Sequence, residues 1–206
     1  MITTYQALAM GQYQEIDRIT RTGGDELEVQ VAILSILTGK PEAELLRLPL
    51  PEYTDLAGKS TFLRRSLDTI PEVRKEYALG DWRLRPCQDY RKLTAGQYID
   101  FQAFTKDTLD FCGLLSVLMV PDGKTYGEGY APLEVRTAIA DHLPMPDGMA
   151  LIAFFLKQYA GLIRASLTYS ENALRRVKDK GMKAKIQARI DRARTLLNLV
   201  GGGLRT

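Results

Sequence analysis

From Leu93 to Val120 the chain reads LTAGQYIDFQAFTKDTLDFCGLLSVLMV, an order of residue types that sets out the start, body and stop of a helix. Thr94 and Gln97 have the spacing of a capping box, in which hydroxyl and amide each satisfy a backbone N–H left unpaired at a helix start, and Leu93 and Tyr98 flank them as a hydrophobic staple. Tyr98, Phe101, Phe104, Thr108, Phe111, Leu115 and Leu118 then recur every three or four residues and line one helical face. From Phe111 onward the segment is apolar on nearly every side, which predicts a single central core helix. Pro121-Asp122-Gly123 ends it, since proline cannot continue the helical ladder and Asp-Gly favours a turn.

On the N-terminal side, the periodicity predicts helices over Thr4 to Ile19, Asp25 to Leu37, Pro41 to Leu48 and Glu52 to Leu67, with Leu48-Pro49-Leu50-Pro51 as a connector. Between Pro71 and Pro86 the period changes. Val73, Lys75 and Tyr77, then Trp82 to Arg85, alternate as strands do, and Leu79-Gly80-Asp81 supplies a turn. One β-hairpin is expected, anchored by Trp82 and packed on the helices or paired with a second copy, because an isolated hairpin is marginal in water. On the C-terminal side Pro132 to Asp141 reads as a short helix, Pro144 to Gly148 as a break, and residues from Asp147 toward Lys180 as a long helix. Gly181 interrupts it. Ile186, Ile190, Ala193, Leu197 and Val200 then form a seam of coiled-coil spacing, before Gly201-Gly202-Gly203 opens a flexible end. The expected fold is therefore mainly α: a multi-helix bundle with one small β-hairpin near residues 72-86 and a C-terminal amphipathic helix. Residues 1-180 form the body and 181-206 a basic amphipathic arm.

With 206 residues, 45% of them hydrophobic and 26% charged, the chain is long enough to bury a sizeable core. Cys87 and Cys112 lie far apart, and the opening MITTYQALAMGQ lacks the regions of a secretory signal, so a reducing compartment with free thiols is expected. The longest uninterrupted apolar run, Met149 to Leu156, falls well short of the ~20 residues a membrane span needs. The net charge of +3 is unevenly placed. Residues 171 to 206 carry ten basic side chains against Glu171, Asp179 and Asp191, a net +7 that leaves the remainder at −4.

Motifs for chemistry are weak. Gly58-Lys59-Ser60-Thr61 resembles the end of a phosphate-binding loop, but the first glycine of that motif would stand where Tyr53 is, and the preceding LRLPLPEYTDLA is broken by prolines. His142 is the one histidine, so a two-histidine metal site cannot form within one chain, and the cysteines lack metal-ligand spacing. Asp141-His142 has no serine or cysteine placed with it by motif. Asp107 and Asp110 at i, i+3 read as a solvated face beside Lys106 rather than a cation site. No cofactor, metal or catalytic residue is expected, and the chain reads as a non-enzyme. The basic arm has no Phe, Tyr or Trp between residues 171 and 206, which disfavours stacking on nucleic-acid bases and insertion into a membrane surface, although phosphate contact through charge alone stays open. The expected partner surface is the seam Ile186, Ile190, Ala193 and Leu197, surrounded by Arg175, Arg176, Lys183, Lys185, Arg189 and Arg192, suited to an acidic amphipathic helix.

Four segments together carry a resemblance: VAILSILTGKPEAELLRLPLPEY at Val31 to Tyr53, DWRLRP at Asp81 to Pro86, LTAGQYIDFQ at Leu93 to Gln102, and MVPDGKTYGEGY at Met119 to Tyr130. In this combination the chain resembles the tail assembly chaperones of tailed bacteriophages. The resemblance implies a mainly helical protein of the host cytoplasm that coats the tape-measure protein and recruits tail-tube subunits during assembly. The alternative is a structural virion subunit, a head–tail connector or ring protein contacting neighbouring subunits. Homo-oligomers fit either reading.

Overall fold

The computed structural model describes residues 1–65, 67, 69–104, 110–177 and 179–203, the side chains of 189, 192, 193 and 195–203 excepted. The fold is mainly α, 68% helical, with nine α-helices and one small antiparallel sheet among the described residues. The chain divides into two compact units, Met1–Cys87 with Leu93–Leu151, and Gln88–Lys92 with Ile152–Thr206.

In the first unit the helices are α1 (Met10–Thr22), α2 (Glu26–Thr38), α3 (Glu42–Leu45), α4 (Leu50–Lys59), α5 (Ala95–Phe104), α6 (Phe111–Leu118) and α7 (Pro132–His142). The strands are β1 (Tyr77–Leu79), β2 (Trp82–Pro86) and β3 (Met119–Pro121). The capping box forms as read: the Thr94 N–H donates to Gln97 Oε1 at 3.0 Å, and the Gln97 N–H donates to Thr94 Oγ1 at 3.2 Å. Gln97 is also buried, and its Nε2 donates to the Val117 carbonyl at 3.0 Å, tying the start of α5 to the end of α6.

The single helix expected from Thr94 to Val120 is two helices and a strand. Asp110 is the reason. It stands at φ −75°, ψ 85°, outside helical geometry, and its carboxylate accepts the Gly113 N–H at 2.8 Å as the N-cap of α6. Thr108 and Asp107 lie outside the described residues. All eight residues of α6 are buried, which explains a sequence apolar on every side. Its neighbours are α1, α5, α7 and β3.

At Met119 the backbone opens to φ −115°, ψ 116°, and β3 pairs with β2 in the register Leu84↔Pro121, Pro86↔Met119. The expected hairpin is present as Tyr77↔Leu84 and Leu79↔Trp82, with Gly80 at φ 57° in the two-residue turn. It pairs with β3 of its own chain, so β2 is central in a sheet ordered β1-β2-β3. Tyr77, Leu79, Leu84, Met119 and Pro121 face inward, whereas Arg83 and Arg85 face water and pair with Glu76 and Asp122.

The expected helix from Thr4 to Ile19 is also divided. Tyr5–Ala7 makes one 3₁₀ turn, and the chain then extends so that Ala9 bridges Pro144, with Met10 N–H on the Leu143 carbonyl and Met145 N–H on the Leu8 carbonyl, each at 2.8 Å. These bonds satisfy backbone groups at the α7–α8 junction that prolines would otherwise leave open. Residues 60–64 are 3₁₀ where α-helix was expected to continue to Leu67, and α3 spans one turn instead of reaching Leu48. Asp25 caps α2 by accepting the Leu27 N–H at 2.9 Å, and Gly39 closes it in the left-handed conformation at φ 71°.

The second unit is built on α8 (Met145–Arg176), whose residues from Ile152 onward belong to it, and α9 (Lys180–Gly203). Phe155, Tyr159, Ile163 and Ser170 are buried along one stripe of α8. Tyr90 lies against Phe155 and Tyr159 with ring centroids at 6.4 and 6.2 Å, and its hydroxyl donates to the Phe155 carbonyl at 3.0 Å. α8 ends at Arg176 and α9 starts at Lys180, so the break comes before Gly181, where Asp179 Oδ1 accepts the Met182 N–H at 2.7 Å and caps α9. Gly201–Gly203 continue α9 instead of opening it. By length and composition α8 could cross a bilayer, with a mean hydropathy of 1.3 over 18 residues, a window longer than the apolar run read from the sequence; 39% of that window is buried in the fold.

Two glycines give opposite expectations. A Cβ on Gly11 would stand 2.8 Å from both the Cβ and the carbonyl oxygen of Ala140, so Gly11 sets how closely α1 approaches α7. Gly58, inside α4, meets nothing within 4 Å. Gly11→Ala should destabilise by about 1–3 kcal/mol through overpacking, and Gly58→Ala should stabilise by roughly 0.5–1 kcal/mol through helix propensity. Urea unfolding midpoints of the two variants, moving in opposite directions, would confirm both.

Candidate protein-binding surfaces

Among the described residues the candidates for chemistry lie apart. Gly58 and Lys59 lie in α4 and Ser60 and Thr61 in the following 3₁₀ turn, with no strand before them, and Lys59 Nζ pairs with Asp55 at 2.5 Å. His142 ends α7 in an exposed position against the Gly80 turn. Asp100 accepts the Tyr126 hydroxyl at 2.8 Å, and Asp110, besides capping α6, pairs with Arg136 at 2.7 Å. Burial, and then the Asp100 carboxylate, push the Tyr126 phenol up from its ordinary value. Among the described residues no three His, Cys, Asp or Glu side chains are grouped to hold a metal ion.

The most buried carboxylate, Asp147 in the first turn of α8, is structural by its contacts. Arg74 reaches its Oδ2 at 3.3 Å, while Oδ1 is sealed from water and accepts no hydrogen bond. Arg74 also lies over the Tyr77 ring at 5.8 Å, and its N–H donates to the Tyr77 hydroxyl at 3.0 Å. These contacts hold the irregular segment before β1 against the start of α8.

The surface expected on α9 is partly consumed by the fold. Ile190 is only 2% exposed and Ile186 is half-buried, whereas Arg175, Arg176, Lys183 and Lys185 are exposed. The side chains of Ala193, Leu197, Arg189 and Arg192 lie outside the described residues. Arg194 joins α9 to α8 through Glu171 at 3.0 Å. What this region presents to water is its basic turn, with Met182 54% exposed among the cations.

Sequence reading missed a second surface. Where α1 ends, α2 begins and α3 crosses, an open groove of about 470 Å³ is lined by Ile19, Leu27, Val31, Ala32 and Leu46, with Glu28 and Glu42 at its rim. Leu27 and Leu46 remain 53% and 63% exposed, and Leu50 at the start of α4 is exposed as well. Gly23 and Gly24, at φ 71° and 147°, turn the chain between α1 and α2 and line the same groove. The periodic leucines of Leu27 to Leu48 were legible as stripes, but which of them lack a covering neighbour is a tertiary property.

No family model matches the chain. Neither a curated protein nor a solved structure matches it either.

Two expectations follow from burial. Ile190→Asp should lower the melting temperature of the purified chain with no partner present, because it puts an unpaired carboxylate where a side chain is almost fully covered; an unchanged melting temperature would show that Ile190 is not packed by its own chain. Burial pushes the Cys112 thiol up to about 12, with the Asp110 carboxylate adding to the shift. Since the thiolate is the reactive form, Cys112 should resist a thiol-reactive disulfide reagent at about pH 8 in the native chain and react after unfolding in urea.

Proposed function

We propose that this chain is a non-enzymatic phage morphogenesis protein, a tail assembly chaperone that binds the tape-measure and tail-tube proteins reversibly during assembly. The observation that carries this reading is the open groove between α1, α2 and α3, with Leu27, Leu46 and Leu50 left exposed beside it. An apolar groove of this shape suits a helix that inserts side chains at i, i+3 and i+4. A long tape-measure helix offers such stripes repeatedly, and they would aggregate if left uncovered. The resemblance of the segments Val31 to Tyr53 and Leu93 to Gln102 to tail assembly chaperones supports the same role. Such a role is exercised in the host cytoplasm.

A second reading, a permanent virion subunit such as a connector or ring protein, is favoured by one observation. The chain carries surfaces of opposite character, an acid-rimmed groove and a basic turn, which neighbouring subunits of one assembly can set against each other.

Quantitative mass spectrometry of purified mature particles against late-infection lysate separates the two. The chaperone reading expects the protein to be abundant in lysate and absent from particles. A fixed small copy number per particle would overturn that reading in favour of the virion subunit.

A further inference from the structure

The two surfaces also match each other. Around the groove, Arg18 pairs with Glu15, Arg21 with Asp17 and Lys40 with Glu44, which leaves Arg47, exposed beside Leu46, as a cation outside these pairs. Among the described residues Glu28 and Glu42 enter no ion pair, and the two carboxylates outweigh Arg47 in the charge at the rim. At the turn between α8 and α9, residues 175 to 185 carry six basic side chains against Asp179 alone, and Arg175, Arg176, Lys180, Lys183 and Lys185 are exposed, with no ion pair among the described residues. Met182 stands among them, 54% exposed. A methionine is unbranched and polarisable, and it adapts to an irregular apolar cleft. The floor offered by Ile19, Val31 and Leu46 is of that kind.

We propose that the protein self-associates head to tail, the basic α8–α9 turn of one copy seating Met182 in the acid-rimmed groove of the next. Each copy then offers its turn to one neighbour and its groove to another. Such an interface is heterologous: it pairs unlike surfaces, so copies extend into a chain or close as a ring, of which a reciprocal pair is the smallest. The contact is small and its ion pairs sit at a wet rim, where each is weak and screened by salt. It should therefore be reversible, with a Kd on the order of 10–100 μM. A copy seated in the groove excludes a tape-measure helix from it, so self-association and the binding proposed above would alternate at one site.

Sedimentation velocity on the full chain tests it. At about 50 mM NaCl the weight-average mass should rise with concentration, and at about 500 mM it should fall back toward monomer. Glu28→Lys with Glu42→Lys breaks the groove, and Lys183→Glu with Lys185→Glu breaks the turn. Each double variant alone should associate at least about 10-fold more weakly. An equimolar mixture of the two retains one intact turn and one intact groove, so it should form a 1:1 complex that does not grow. All four positions are exposed, so both double variants should stay folded by circular dichroism; Lys183→Glu with Lys185→Glu should melt close to the parent chain, and Glu28→Lys with Glu42→Lys somewhat lower, because it removes first-turn acids from α2 and α3. A chain that stays monomeric at every concentration overturns the proposal, which would leave the groove to a different basic partner. Association unchanged by salt and by both double variants, or a symmetric dimer whose mixture restores nothing, overturns it as well.

Discussion

Complete burial of α6 is the constraint on which the first unit depends. Eight consecutive residues have no solvent side, so α1, α5, α7 and the sheet must surround the helix. A buried helix cannot leave its terminal N–H and C=O groups to water. Here Asp110 accepts the Gly113 N–H, Gln14 accepts the Cys112 N–H at 2.9 Å, Gln97 donates to the Val117 carbonyl, and the Cys87 N–H donates to the Leu118 carbonyl at 2.8 Å. Four separate parts of the chain thus converge on the ends of one helix. Gly113 makes the convergence tight, since a Cβ there would lie 2.5 Å from the Phe104 ring.

The groove and the basic turn are the complement of that burial. Apolar side chains that the core does not need, Leu27 and Leu46 among them, remain on the outside of α2 and α3. The arginines and lysines of residues 175 to 185 are far more numerous than the acids of α9 can neutralise. The acid-rimmed apolar surface and the surplus of cations therefore lie in separate stretches of the sequence, and each is available for contact.

Local signals in the sequence were dependable where one residue type has one physical role. Thr94 with Gln97 can hardly be read otherwise than as a capping box, and the structure has it so; in the sequence Asp25 and Gly39 mark only the bounds of a helix, and the structure makes both of them caps. The mainly helical class followed from the same periodicities. Asp110 was ambiguous, because an aspartate on a helical pattern reads equally as a solvated face or as an N-cap, and only the burial of Phe111 to Leu118 decides between them. Strand β3 has three residues, too few to show alternation, and its pairing is fixed by β2 instead of by its own composition. The seam of α9 showed its period without showing what covers it. The groove was invisible because it is made by the spacing between α1, α2 and α3, which no segment encodes alone.

Met119 follows Leu118 without a connecting residue, so the sheet inherits its last strand directly from the buried helix. The β1–β2 hairpin is local, its partners separated by a two-residue turn, whereas the Leu84↔Pro121 pairing closes a long loop that contains α5 and α6. Loop closure costs entropy before any contact offsets it. The order of events during folding is thereby constrained: the hairpin can flicker into existence on its own, but its third strand arrives only as cargo of α6, and the sheet becomes a late reporter of whether the helical core has formed.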